Sequence, residues 1–217
     1  MGFVRPLKDR RTPASKTVAG LKKLYHDAHC ELEFSTPLEL VVATILSAQC
    51  TDKRVNLVTP ALFKRYRSAG DYARAEPAEL EALIRSTGFF RAKALSIREM
   101  AKRVVSDFGG KLPRTMDELL TLRGVARKTA NVVLGTAFGK SEGIVVDTHM
   151  KRVAYRLGLT DETDPVKVER DLMDCVPRAA WIFFGHAMVW HGRRACFARN
   201  PACPSCPLRS FCPKRGV

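Results

Sequence analysis

Long hydrophobic runs are missing from this chain. The longest apolar stretch, LVVATILSA (40–48), follows Glu39 and is about half of the ~20 residues that a bilayer-crossing helix needs. The opening segment MGFVRPLKDRRTPASK carries charge with no apolar segment behind it, so it does not read as a secretory signal. Pro6 stands where a myristoylated Met1-Gly2 start would need Ser or Thr. Convincing alternating strands are absent, the short β-branched GIVVD (143–147) aside, and there is no low-complexity segment or solenoid-length repeat. Seven cysteines, an odd number with no export signal, argue against a disulfide framework. Acidic residues are scarce. Asp and Glu number 22 against 37 Lys and Arg, a formal net charge of +15, which suits a polyanionic partner, nucleic acid before an anionic membrane.

What is present reads as helix after helix. The 217 residues, 46% hydrophobic, can build one large domain or two small ones. Residues 16–29 carry Val18, Leu21, Leu24, Tyr25 and Ala28 along one face. STPLELVVATILSAQ (35–49) opens with Thr36 as N-cap, Pro37 at the first helical position and Glu39 completing a capping box; its apolar middle makes it a central helix. Further helices are expected over 51–66, kinked or interrupted at Pro60, over 76–88 from Pro77 to Gly88, and over 89–110 with Gly109 as the stop. A short helix near 115–122 precedes helices over 126–137, 146–159, 164–176 and 179–196. Beyond Arg199, Pro201, Pro204, Pro207 and Pro213 preclude regular helix, so the tail needs another organiser.

The organiser is suggested by cysteine. Cys196, Cys203, Cys206 and Cys212 form C-x6-C-x2-C-x5-C in a tail with too little core to hide four free thiols. Four thiolates suit tetrahedral zinc or an iron–sulfur cubane, and the spacing alone leaves both open. Arg193, Arg194, Arg199, Arg209, Lys214 and Arg215 surround them and could meet phosphates.

A second cluster of signals lies in LRGVARKTA (122–130). Gly124 supplies the positive φ that a tight turn between helices requires. The next helix begins near Ala126, and its unpaired first amides with the helix dipole make an anion site able to hold a phosphate by main chain. Lys128 falls in that first turn. Arg127 and the positive helix end disfavour its charged form, and partial burial would add to this, so it could present a neutral amine to an electrophilic carbon as a Schiff-base nucleophile. Taken alone, the corner is an ordinary helix–helix connection and the lysine a solvated charge. Asp147 in VVDTHMKRV is by local rules the N-cap of a following helix, and such a carboxylate could also stabilise a cationic sugar or orient a water.

Together these segments resemble the endonuclease III family of DNA glycosylases, within the helix-hairpin-helix superfamily, over about residues 20–212. LRGVARKTANVVLGTAFG (122–139) resembles the family's hairpin with its catalytic lysine, VDTH (146–149) its catalytic aspartate segment, HGRRAC and the following cysteines its [4Fe–4S] loop, and LSAQCTD (46–52) the segment of its DNA-probing glutamine, here Gln49. The resemblance implies an all-α, two-lobed fold: a six-helix barrel over 30–141 and a cluster domain from 1–29 and 142–217, with DNA across the cleft between them. It implies a [4Fe–4S] cluster rather than zinc on Cys196, Cys203, Cys206 and Cys212.

The implied activity is base-excision repair: a glycosylase with AP-lyase activity that removes oxidised pyrimidines. The damaged base is flipped out of the stack. Gln49 fills the space, and Phe89 wedges from the other side; a helix-capping role and core packing are the respective alternatives. Asp147 stabilises the oxocarbenium-like sugar or helps activate Lys128, which attacks C1′, expels the base and forms a Schiff base; β-elimination then cuts the strand. Gly124, Val125, Ala126, Arg127, Arg193 and Arg199 are expected DNA contacts. Three residues depart from the family pattern: Arg123 for proline, Ala126 for the second hairpin glycine, and Phe89 for a smaller aliphatic residue. The expected setting is cytoplasmic and nucleoid-associated, with a monomer acting on damaged or abasic duplex DNA and no membrane partner. The competing reading is a non-catalytic iron–sulfur protein that binds DNA or senses damage, which would need neither Lys128 nor Asp147; a monofunctional adenine-type glycosylase would lack the lysine.

Overall fold

The computed structural model describes residues 7–217, apart from the side chains of 7–9, 11 and 12; the readings placed on Met1-Gly2 and Pro6 lie outside the described residues. The chain is all-α, and among the described residues there is no strand; GIVVD (143–147) is irregular. Among the described residues eleven α-helices follow in order: α1 (Leu7–Leu24), α2 (Pro37–Leu46), α3 (Asp52–Arg65), α4 (Ala69–Ala73), α5 (Pro77–Ile84), α6 (Phe90–Phe108), α7 (Met116–Leu120), α8 (Arg127–Phe138), α9 (Thr148–Arg156), α10 (Pro165–Cys175) and α11 (Trp181–Arg194). In the tail only a one-turn 3₁₀ helix, Cys203–Ser205, is regular.

The chain divides into two compact units. One is Cys30–Lys140; the other joins the described residues up to His29 with Ser141–Val217. In the first, α2 is the central element. Thr36 and Glu39 form the reciprocal capping box, and Leu40, Val41, Val42, Ala43 and Leu46 are wholly buried. Each such leucine contributes about 1.5–3 kcal/mol by leaving water. α2 packs on α3, α6 and α8, whose inward residues include Ile97, Met100, Val104, Val133 and Leu134.

In the second unit α1 packs on α10 and α11, and α9 on α11, around Leu21, Met150, Val153, Leu172, Phe184 and Met188. α1 starts well before the expected residue 16 and stops at Leu24. Its early turns are tied down by Arg10, which is 5% exposed and donates to Asp171 at 2.7 Å and to Asp161 at 2.5 Å. Those partners lie far along the chain, so no local pattern announces them. α3 runs through Pro60 without interruption. α4 was not expected; Ser68 and Asp71 form a second capping box at its start.

Candidate active site and metal centre

The hairpin is built from two buried pins and one glycine. Leu122 and Val125 are 2% and 6% exposed, and the Val125 amide donates to the Leu122 carbonyl at 3.1 Å, closing the turn. Gly124 has φ +80°, and a Cβ there would lie 3.0 Å from Ser96 Cβ and 3.5 Å from Ile45 Cδ1. Only glycine therefore lets the turn sit on α6 and α2. Because the Val125 side chain is inside, only its main chain is open to a ligand.

Ala126 is the N-cap of α8 at φ −87° and ψ 170°, an ordinary extended conformation, and no side chain caps the helix. The methyl group that replaces the family's second glycine thus creates no backbone strain. Ala126 thus offers no side-chain cap to the start of this twelve-residue helix, the arrangement expected of an anion-binding terminus. Lys128 is the second residue of α8 and is exposed, so partial burial adds nothing to its setting; Arg127 is half-buried.

Gln49, Phe89 and Gly124 share the rim of an open depression of about 310 Å³, with Thr44, Lys93 and Ser96 among its lining. Gln49 is exposed at φ +52° and does not cap α2, whose C-cap is Ser47. Phe89 is 66% exposed at φ +47°, so it is not packed in the core. Lys93 escaped the sequence reading. It is 5% exposed, and burial lowers its pKa below the usual lysine value. Its signal was positional: a lysine on the same stripe as the buried Ile97, Met100 and Val104.

Asp147 belongs to the other unit. It caps α9, its Oδ1 accepting the Met150 amide at 2.7 Å, and it is half-buried.

The cysteine tail is docked by packing and by two arginines. Leu208, between Cys206 and Cys212, is 1% exposed and abuts Gly20 of α1, where an added Cβ would collide with its Cδ2. Arg156, 6% exposed, donates to Cys196 Sγ at 3.4 Å, to the Phe197 carbonyl at 2.6 Å and to the Ala198 carbonyl at 3.1 Å. Arg152 donates to the Cys196 carbonyl at 3.1 Å and to the Gly192 carbonyl at 2.8 Å. The Cys212 thiol donates to the Arg156 carbonyl at 3.4 Å, and Cys206 Sγ stands 3.7 Å from His191 Nε2, whose ring is pushed to a pKa of about 4 by burial.

Burial raises the thiols of Cys206 and Cys212, and the charges of Cys196 and Cys203 raise both further, so the four sulfurs share one electrostatic neighbourhood. Yet among the described residues no three His, Cys, Asp or Glu side chains are grouped tightly enough for a single metal ion. Four cysteine thiols in one neighbourhood are a donor set that fits a [4Fe–4S] cubane, which takes one thiolate per iron. Arg193 is half-buried, and Arg199 is exposed beside the tail.

Residues 42–178 match the HhH-GPD superfamily of base excision DNA repair proteins, and 196–212 match the iron-sulfur binding domain of endonuclease III. The chain is 52% identical over 211 residues to Endonuclease III of Synechocystis sp., covering 97% of this chain and 96% of the relative. It is 47% identical over 190 residues to that of Bacillus subtilis, covering 87% and 86%. A solved trapped endonuclease III–DNA covalent intermediate superposes with a TM-score of 0.88 at 42% identity, covering 97% of each chain. A non-covalent endonuclease III–DNA complex gives 0.88 at 43%, covering 97% and 96%.

Proposed function

The chain belongs to the endonuclease III family of HhH-GPD base excision DNA repair proteins, and on that premise we propose that Lys128 is the nucleophile with which it excises oxidised pyrimidines. It is a DNA glycosylase with AP-lyase activity. The observation that carries the assignment is the start of α8: an uncapped helix terminus that can hold a backbone phosphate by its amides, with the exposed amine of Lys128 one residue inside it.

In this reading duplex DNA is anchored by the main chain of Gly124, Val125 and Ala126, with Arg127, Arg193 and Arg199 adding charge. Gln49 and Phe89 enter the stack as the damaged base leaves it. The Lys128 amine, once unprotonated, attacks C1′ of the extruded nucleotide. The C1′–N bond breaks, and its electron pair departs with the base. Asp147 stabilises the positive charge that develops on the sugar. The amine nitrogen then forms an imine to C1′ with opening of the ring, loss of a C2′ proton expels the 3′ phosphate, and the strand is cut. A purely DNA-binding protein has no use for a nucleophilic amine or a catalytic carboxylate.

The family's [4Fe–4S] cluster is held by Cys196, Cys203, Cys206 and Cys212. When bound, it supplies iron–thiolate bonds that fix the fold of the proline-rich tail. Arg152 and Arg156 hold the Cys196 carbonyl and sulfur in place for it. Cys30–Lys140 serves as the hairpin-bearing domain, and the remainder as the cluster domain. The protein works as a monomer on damaged or abasic duplexes, in a nucleoid-associated cytoplasmic setting.

The test is covalent trapping. Duplexes containing thymine glycol or an abasic site are incubated with the protein and borohydride. An adduct that disappears in Lys128→Ala supports the assignment. Trapping that survives in Lys128→Ala, or no adduct with either duplex, overturns it.

A further inference from the structure

Four non-glycine residues have left-handed backbone among those described, and two of them are Gln49 and Phe89. Side chains other than glycine visit that region only where their surroundings over-determine it. Both residues are exposed, so packing of their own side chains does not supply the constraint.

Lys93 lies beneath both turns. Its Nζ donates to the Leu46 carbonyl at 2.7 Å and to the Thr87 carbonyl at 2.8 Å. Leu46 ends α2 three residues before Gln49, and its carbonyl has no helical partner. Thr87, 2% exposed, precedes Gly88 at φ +71° and Phe89 at φ +47°. The Lys93 amide also donates to the Phe89 carbonyl at 3.0 Å, so main chain and side chain brace the same turn. An ammonium is well suited here: it carries several donors on a flexible stem and can join two carbonyls from different elements. Burying it away from a carboxylate is costly, which a merely space-filling residue would avoid.

We propose that Lys93 is a positioning residue for base extrusion, its buried ammonium locking the Gln49 and Phe89 turns together so that both side chains enter the duplex as one preformed two-pronged probe. This rests on the roles proposed above for Gln49 and Phe89. Burial lowers the Lys93 pKa, yet carbonyl acceptors select the charged, three-donor form that the clamp uses.

The cluster-loaded full chain is compared with Lys93→Met and Lys93→Arg. Single-turnover rates are measured for thymine glycol excision from a fully paired duplex and for cleavage at an abasic site in a single strand, where no stacked base has to leave. Lys93→Met should slow the paired duplex by on the order of tenfold to a hundredfold and leave the single strand within about twofold. Lys93→Arg, able to donate to both carbonyls from a bulkier head, should show a smaller loss confined to the paired duplex. In a Gln49→Ala, Phe89→Ala background, Lys93→Met should add no further loss. Equal losses on both substrates, additivity in that background, or no loss on the paired duplex would overturn the proposal. If Lys93→Met does not fold, Lys93→Arg carries the same comparison. A 2-aminopurine opposite the lesion reports probe insertion by fluorescence whether or not the base is cut. Wild-type inactivity with normal insertion therefore counts against the proposed function and not against the clamp.

Discussion

Asp147 has an observed role as a helix cap and a proposed catalytic one, and substitution can separate them. As a cap, its Oδ1 accepts the Met150 amide at 2.7 Å at the start of α9. In its proposed catalytic role it contributes a negative charge. Asp147→Asn keeps an oxygen acceptor at the cap, and Asn ranks with Asp there; the lost charge at the helix terminus costs about 0.3–1 kcal/mol. Asp147→Ala loses the acceptor as well, a further ~0.5–2 kcal/mol. For a chain of this size 1 kcal/mol corresponds to roughly 2–4 °C in Tm. Asn should therefore melt within a few degrees of wild type, and Ala several degrees lower. Catalysis should order the variants differently. Removing a group aimed at developing charge typically costs about 10²–10³-fold in rate, and Asn is as uncharged as Ala. Both variants should thus lose single-turnover thymine glycol excision to a similar extent, although only Ala loses substantial stability. The paired assays are thermal melting by circular dichroism and single-turnover excision at saturating protein. An Asn variant that excises at the wild-type rate would reduce Asp147 to a helix cap and refute the reasoning.

Other expectations are more local. Ala126→Gly should leave the borohydride-trapped yield on an abasic duplex unchanged, since φ at Ala126 is −87°; a large gain would show that the methyl group does obstruct the phosphate. Gly124→Ala forces φ +80° on a Cβ 3.0 Å from Ser96 Cβ, and should cost about 1–3 kcal/mol in denaturant unfolding together with duplex affinity measured by fluorescence anisotropy. Arg10→Met leaves Asp171, 8% exposed, with Thr160 as its remaining hydrogen-bond donor at 2.7 Å. The loss should be about 3–5 kcal/mol in denaturant unfolding, and adding Asp171→Leu should recover much of it.

Local physics explains what could be read from the sequence. The capping box of α2, the cap at Asp147, the glycine of the hairpin and the stop at Gly109 are each encoded within four or five residues, and each stands where the pattern put it. The early start of α1 depends on Arg10 meeting Asp161 and Asp171, some 150 positions away. The bracing of the cysteine tail depends on Arg152 and Arg156 meeting carbonyls about 40 residues on. Lys93 was hidden for a related reason: a lysine is counted as surface by default, and only the fold brings two unpaired carbonyls to its ammonium. α4 was missed because five residues are too few to show a period, although its capping box was legible.

The same distinction bears on what the surplus of positive charge can do. A formal charge of +15 treats every cation as a potential partner for phosphate. Arg10, Lys93 and Arg156 are each 5–6% exposed and are consumed by carboxylates, carbonyls and a sulfur. Arg209 is exposed yet donates to the Pro204 carbonyl at 2.6 Å, and Arg215 pairs with Asp161. Arg194 lies 3.7 Å over the Trp190 ring. Some of the basic residues thus organise the protein, and the charge left to attract a polyanion lies on the exposed remainder, which includes Lys128 and Arg199. Arg123 belongs to that remainder. It is exposed at the hairpin, where the family's proline would have presented no charge, and it lines an open groove with Glu99, Lys102 and Arg103. The substitution leaves the turn intact, because Gly124 and the Leu122–Val125 bond define the turn's geometry. Its expected consequence is therefore electrostatic: one more cation beside the proposed main-chain phosphate site, acting on affinity and salt dependence rather than on the chemistry proposed for Lys128.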